Sequence, residues 1–399
     1  MIAERPIAPV DTNEDLPTPG DVIARSAALG AFLKRQAPLH REQRRILPET
    51  IAELRRAGLF RVLQPRRWGG YEMSPSVFAD VLINLARADP SVGFVYGVLA
   101  VHSFHLAFYD DAAARDVWGT DTDVLIGSPY MPTGRATRVD GGYRLSGRWS
   151  FSSGCDNCDW NFLGGVVEDG SDAPLVQRMH AFLVPRADAP IIDTWRVMGL
   201  QGTGSKDLVV EDAFVPEHRV QRFPIFDPAA HPGTAINTAP LFRNPFLPLF
   251  FRAVSSAAIG ALEGMIDAFV AHTDGRRTVM SEQAAQDPLL QMALAQARAG
   301  ADEMKAILHR NFAETEQAAL QGAMLSPERL NLFMLRSANV PHRAEDLALK
   351  LMRAAGANGI RTDGDLAHYY ADILVIGQHS SNGPKMPAIN LAKLMLGLP

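Results

Sequence analysis

The sequence predicts a mainly α protein with a central β-domain: an N-terminal helical domain, a middle antiparallel β-domain and a C-terminal four-helix bundle. Three observations predict it. Apolar residues recur at three-to-four spacing near both ends of the chain, as one buried helix face requires. Between those regions the texture changes to short segments rich in Val, Tyr, Phe and Thr, broken by Gly, Pro and Asp-Gly. The length of 399 residues, 47% of them hydrophobic and 21% charged, suits two or three packed subdomains.

Residues 1–20, polar and proline-rich, read as a flexible leader without the apolar centre of a signal peptide. The N-terminal helical domain spans 21–120. DVIARSAALGAFLKRQA and PETIAELRRAGLF are amphipathic, and SPSVFADVLINLARADP opens on a serine cap and stops at Pro90. SVGFVYGVLAVHSFHLAFYD is apolar all round, which predicts a buried helix. The β-domain spans 121–223, with DGGY at 140–143 as a hairpin turn. From 224 to 399 helical periodicity returns in four long segments, which predicts a bundle.

Charge and motifs exclude several functions. A net charge of −5 argues against a nucleic-acid or acidic-lipid surface. No apolar run approaches the roughly 18 residues of a membrane span. Two cysteines give no disulfide framework, which fits a cytoplasmic location. Those two, Cys155 and Cys158, form a C-x-x-C that lacks the second pair a zinc site needs and lies between β segments, so both read as structural. GTGSKD at 202–207 fails the phosphate-loop pattern because Ser205 stands where glycine is required. HSFH at 102–105 puts two histidines on one helix face with no third ligand nearby, and no metal site is expected.

Four segments in order carry a family resemblance: LFRVLQPRRWGGYEMS, LSGRWSFSSG, MGLQGTGSKDLVVEDAFVPEHRV and LKLMRAAGANGIRTDGDLAHYYADI. Together they resemble the acyl-CoA dehydrogenase fold from about residue 20 to the end. A dehydrogenase of that fold needs a carboxylate base after the Y-x-D helix, yet His379 and Ser380 stand there, and Glu263 is the one candidate for a relocated base. The chain is more similar to the two-component flavin-dependent monooxygenases, the phenol, hydroxyphenylacetate and steroid-phenol hydroxylase oxygenase components. That resemblance implies reduced FMN or FAD delivered by a separate NAD(P)H-dependent flavin reductase, O2, a C4a-hydroperoxyflavin and hydroxylation of a small aromatic of phenol or indole type. It also implies a homotetramer.

The resemblance places functional residues at His102, Ser128, Ser153 and His379. A hydroxyl near flavin N5 protects the oxygenating state in a dry pocket, and Ser153 is the candidate with Ser152 as its alternative, since neighbours on a strand face opposite sides. His379 can hydrogen-bond the oxygen or the substrate, while His102 and Ser128 orient the substrate heteroatom. Trp149 is expected to wall the flavin ring, and Arg252 and the GTGSK loop to meet its phosphate. Phe246 and Phe250 are expected to line the substrate pocket, and Gly356 and Gly359 to allow a close turn near the cofactor. An N-oxygenase of an amine or amino sugar and a non-enzymatic flavin-binding protein are the remaining alternatives.

Overall fold

The computed structural model describes residues 16–170, 172–225, 227–277 and 283–398. Most of the expected leader lies outside the described residues. Its last residues are ordered, because Thr18 and Asp21 form a capping box that starts α1, Pro19–Ala28. α2 is Gly30–Gln43, α3 Pro48–Arg56 and α4 Pro75–Ala88. Asp89 ends α4 and caps α5, Pro90–Leu106, by accepting from the Ser91 and Val92 amides. Every residue of α5 is buried, as its all-round apolar sequence requires. α6, Asp111–Trp118, closes the helical region.

Eight strands follow among the described residues: β1 Ile126–Gly127, β2 Gly134–Val139, β3 Gly142–Ser152, β4 Trp160–Val167, β5 Met179–Pro185, β6 Ile191–Ile192, β7 Lys206–Pro216 and β8 Val220–Arg222. A short helix, α7, Leu175–Arg178, precedes β5. The strands form one sheet in the order β6-β7-β3-β2-β4-β5-β8, with β1 also on β4. The pairing is antiparallel except where β4 meets β1 and β2. β2 and β3 are the expected hairpin, joined through Gly141 at φ +73.

The C-terminal region holds α8 Phe246–Ser255, α9 Ala257–Thr273, α10 Pro288–Leu320, α11 Pro327–Ala355, α12 Asp365–Gly377 and α13 Lys385–Met395. The four expected segments are therefore six helices, the first broken at Ser256 and the last between α12 and α13. The expectation that no stretch is long and apolar enough to span a membrane is corrected by Phe246–Thr273, 28 residues that pass that test. Its most apolar window is 78% buried inside the fold, because α8 and α9 pack against α4, α5, α11 and α12. One hydrophobic core, including Phe78, Leu99, Leu262 and Leu351, unites the two helical regions, and a second, around Trp149, Phe182 and Leu208, fills the β-domain.

α4 and α9 approach so closely that a Cβ on Gly260 would stand 2.3 Å from the Ile83 carbonyl oxygen and 2.7 Å from the Ala86 Cβ. Backbone cannot yield there as a flexible side chain would. Gly260→Ala is expected to destabilise the fold by about 2 kcal/mol through overpacking, read as a lower thermal midpoint with unchanged far-ultraviolet dichroism in the native state.

Candidate active site

Where α5, α8 and the segment after α12 meet the β-domain, they enclose a cavity of about 530 Å³. α5 supplies Phe94 and Val98, α8 supplies Phe250, and the chain beyond α12 supplies His379. From the β-domain come Ser128 and Tyr130 after β1, and Phe151 and Ser153 at the end of β3. Of the residues expected from sequence, Ser128, Ser153, Phe250 and His379 are thus brought together.

The end of β3 is shaped by a bulge. Trp149 pairs with Leu208 and Ser152 with Lys206, so three steps along β3 answer two along β7. The extra residue breaks the strand's alternation. Phe151 would otherwise share the inward face of Trp149; instead it adopts a left-handed φ of +65 and is 70% exposed, with Trp195 edge-on at 6.1 Å. A bulky residue in that region costs about 1–3 kcal/mol and persists only where the surroundings impose it. Trp149 is corrected: its side chain is fully buried in the β-domain core, with Nε1 donating to the Gly164 carbonyl at 2.7 Å. The exposed aromatic wall is Phe151.

The bulge also separates the two serines. Ser152 is fully buried with its hydroxyl unpartnered, whereas Ser153 lines the cavity. Ser153 Oγ lies 2.7 Å from Ser205 Oγ, which lies 2.7 Å from Thr203 Oγ1. Thr203 gives its one proton to the Leu200 carbonyl at 2.8 Å. A carbonyl only accepts, so Ser205 must donate to Thr203 and Ser153 to Ser205. Ser153 then meets the cavity with lone pairs alone.

A second polar group lies across the cavity. Ser128 and Tyr130 both line the cavity, and the Tyr130 phenol oxygen is 2.5 Å from His105 Nδ1. Gln221 Nε2 donates to the Phe108 carbonyl, which turns Oε1 toward His105 and stabilises a proton on that ring. Gln221 Oε1 and His105 Nε2 are both buried without a hydrogen-bond partner. Burial holds His105 neutral, so its ring carries one proton, and a single proton bridges Nδ1 and the Tyr130 oxygen. Tyr130 is fixed in an aromatic box, stacked on Phe223 at 4.4 Å and edge-on to Phe246 and Phe250.

His379 has the opposite character. Its Nδ1 accepts from the Ser381 amide at 3.1 Å, so the neutral ring carries its proton on Nε2. Burial pushes its pKa down to about 4, which keeps the imidazole uncharged at neutral pH. His102 does not line the cavity. It is fully buried behind Tyr130, its Nδ1 donates to the Ile126 carbonyl at 2.6 Å, and burial lowers its pKa to about 4 as well. Phe246, also expected at the pocket, is buried in the aromatic box rather than on the cavity surface.

Other expected residues lie elsewhere. Lys206 of the GTGSK loop is half of an ion pair with Asp156, at 2.9 Å. Arg252 is buried on α8 and does not line the cavity. Gly356, at φ +70, and Gly359 shape the turn between α11 and α12, away from the cavity lining. Glu263 faces Arg298 at 3.9 Å, and no carboxylate lines the cavity among the described residues. Cys155 and Cys158 are free and buried, each thiol donating to a carbonyl, of Gly204 and Gly154 respectively. Burial raises the Cys155 pKa to about 12 and that of Cys158 well above the usual thiol value, so neither is a ready thiolate.

Residues 253–384 match the family model described as acyl-CoA dehydrogenase, C-terminal domain. The oxygenase subunit HsaA of a flavin-dependent monooxygenase from Rhodococcus jostii (strain RHA1) is 36% identical over 94% of this chain and 98% of its own. The chain belongs to the oxygenase subunits of the flavin-dependent monooxygenases. The oxygenase component of an FADH2-dependent resorcinol hydroxylase from a Rhizobium species is 31% identical over 94% of each chain. The crystal structure of 3-HSA hydroxylase from Rhodococcus sp. RHA1 superposes with a TM-score of 0.90 at 34% identity, covering 95% of this chain and 97% of that one. The acyl-CoA dehydrogenase-like fold expected from sequence is therefore the fold of this monooxygenase subunit.

Sequence reasoning missed Phe151, Tyr130 and His105, and reached Ser205 only as part of the GTGSK loop expected at the flavin phosphate, not as the partner of Ser153. HSFH did single out His105, but as a failed metal pair. Cys155→Ser combined with Cys158→Ser is expected to leave product formation within about twofold of wild type, since each thiol makes only a weak bond to a carbonyl. Turnover of the folded double variant checks this.

Proposed function

We propose that this chain is the oxygenase component of a two-component flavin-dependent monooxygenase that hydroxylates a small aromatic carrying a free O–H or ring N–H. Reduced FMN or FAD comes from a separate NAD(P)H-dependent flavin reductase. The observation that carries this reading is the polarity of the cavity: apolar and aromatic walls, the Ser153 oxygen held as an acceptor and one neutral imidazole, His379, held as a donor. The names of the relatives support it, an HsaA oxygenase subunit and an FADH2-dependent resorcinol hydroxylase among them.

The residues fit a reduced flavin. Phe151, strained outward by the bulge, offers a flat apolar face to a planar ring, and Ser153 offers an acceptor to a ring N–H. When bound, the reduced flavin supplies the two electrons that activate O2, one oxygen atom passing to the substrate and the other leaving as water. Ser153 holds the ring proton in place. Ser128 accepts the substrate's O–H or N–H and so orients the ring; Tyr130 and His105 keep Ser128 in that role, and His102 buttresses Tyr130 from behind. Burial pushes the His105 pKa well below its ordinary value, so this relay positions the substrate without taking its proton. His379 donates from Nε2 to an oxygen brought beside it. The Phe and Tyr walls exclude water, which would otherwise compete for each of these bonds.

Two alternatives are disfavoured by particular residues. A dehydrogenase needs a carboxylate at the substrate, and Glu263 is engaged with Arg298 off the cavity. An amine substrate would arrive as a cation, and the described cavity lining offers it no carboxylate. Assembly as a homotetramer is part of the proposal, supported by exposed apolar residues on and after α13, Met386, Met395 and Leu396. So is a cytoplasmic location, supported by two free thiols.

With a flavin reductase, NAD(P)H and a phenol under ¹⁸O2, the product is expected to gain one labelled oxygen; unlabelled product, or none from any phenol or indole tried, would overturn the reading. Ser153→Ala is expected to lower the hydroxylated fraction about tenfold, with hydrogen peroxide appearing instead, as loss of one bond to the reacting group predicts. Because burial pushes the His379 pKa down to about 4, protonation of its ring should contribute no acid limb to kcat/KM between pH 6 and 8 and should lower it only as pH drops toward 4.

A further inference from the structure

Arg252 lies on the face of α8 away from the cavity, 3% exposed, and both of its terminal guanidinium nitrogens lack a hydrogen-bond partner. The charged neighbour that acts on it is another cation, Arg336 of α11. Burial lowers the Arg252 pKa to about 9, which leaves it charged at neutral pH. Arg336 Nη1 donates to Asn311 Oδ1 on α10 at 3.1 Å, which orients that amide and leaves Asn311 Nδ2 buried and unpartnered. Ser256, one helical turn beyond Arg252, is fully buried with its hydroxyl unpartnered. Glu314 is the carboxylate that acts on Arg336, but it is bonded by both Arg310 and Arg329, and those two cations also act on Arg336.

The unsatisfied groups at this junction are therefore donors: two guanidinium nitrogens, an amide nitrogen and a hydroxyl free to rotate. Positive charge exceeds negative there among the described residues, since Arg310, Arg329 and Arg336 share Glu314 while Arg252 meets only Arg336. A buried guanidinium without an acceptor or counter-charge is strongly penalised, so the chemistry of the junction calls for an anion.

We propose that Arg252, Arg336, Ser256 and Asn311 form a buried binding site for a halide-sized inorganic anion at the junction of α8, α10 and α11. The burial of Arg252, Asn311 and Ser256 favours a small anion over a phosphate attached to a flavin. The neighbouring residues Phe250 and Phe251 line the cavity, so occupancy of this site stiffens the helix that forms one cavity wall.

The test is thermal unfolding of the flavin-free protein at constant ionic strength, with chloride or bromide replacing gluconate. Wild type is expected to show a saturating rise in Tm with either halide, as binding to the folded state alone requires. Arg252→Met is expected to lose that rise. Asn311→Asp supplies a fixed carboxylate in the anion's place, so it should equal or exceed wild-type Tm in gluconate and no longer respond to halide. Asn311→Asp carries the test if Arg252→Met fails to fold. A wild-type Tm insensitive to halide, or a halide response undiminished in Asn311→Asp, overturns the proposal. So does a shift produced by phosphate or FMN and not by halide, and so does a crystal grown in bromide that places water, without anomalous signal, beside Arg252.

Discussion

A hydroxyl has one proton to give, and the bond from Thr203 to the Leu200 carbonyl decides where the protons of an entire cavity wall go. With that proton committed, Ser205 and then Ser153 must turn theirs inward. On the opposite wall Tyr130 is bonded to His105 and stands beside Ser128, which we propose is turned into an acceptor in the same way. The cavity thus meets its contents with the Ser153 oxygen as an acceptor and His379 Nε2 as a donor.

That arrangement rests on α12 more than on the strands. The Asp372 carboxylate accepts from the Leu200 amide at 2.5 Å, holding Leu200 at a left-handed φ of +52 so that its carbonyl meets Thr203. A Cβ on Gly199 would stand 2.2 Å from the Ala371 carbonyl, so the loop lies flat on the helix. The same helix ends just before His379, and it is packed on α9 and α11. One element therefore fixes the donor directly and one acceptor through a loop. Burial lifts the Asp372 pKa to about 7, so its ionised form is penalised above that pH and relieved as pH falls through it toward the ordinary carboxylate value.

How much of this could be read in the sequence follows from the range of each interaction. Helices were legible because their periodicity is local, and α5 was recognisable as buried because no face of it is polar. The β2–β3 turn announced itself through Asp140 and Gly141. Ser128, Ser153 and His379 were found through family resemblance, but their proton directions were not, since these depend on partners such as Ser205 and Ser381 that only the fold supplies. Trp149 is expected at the wall from the resemblance of its segment; alternation puts Phe151 on the same face, and a single inserted residue reverses that for Phe151. His102 and His105 lie three residues apart on one apolar helix, so nothing local says which ring bonds the Tyr130 phenol. Lys206 looked available for a phosphate because Asp156 is 50 residues away in the chain.

The central claim is that Ser128 is held as an acceptor by Tyr130 and His105. The most direct measurement compares the affinity of the flavin-loaded enzyme for a phenol and for its methyl ether, in wild type and in Tyr130→Phe. Wild type should prefer the free hydroxyl by about tenfold or more, one hydrogen bond's worth, because the ether cannot donate. In Tyr130→Phe the Ser128 proton is released, and the preference should shrink because the serine can then donate to the ether. Equal binding of phenol and ether by wild type, or an undiminished preference in Tyr130→Phe, would contradict the account.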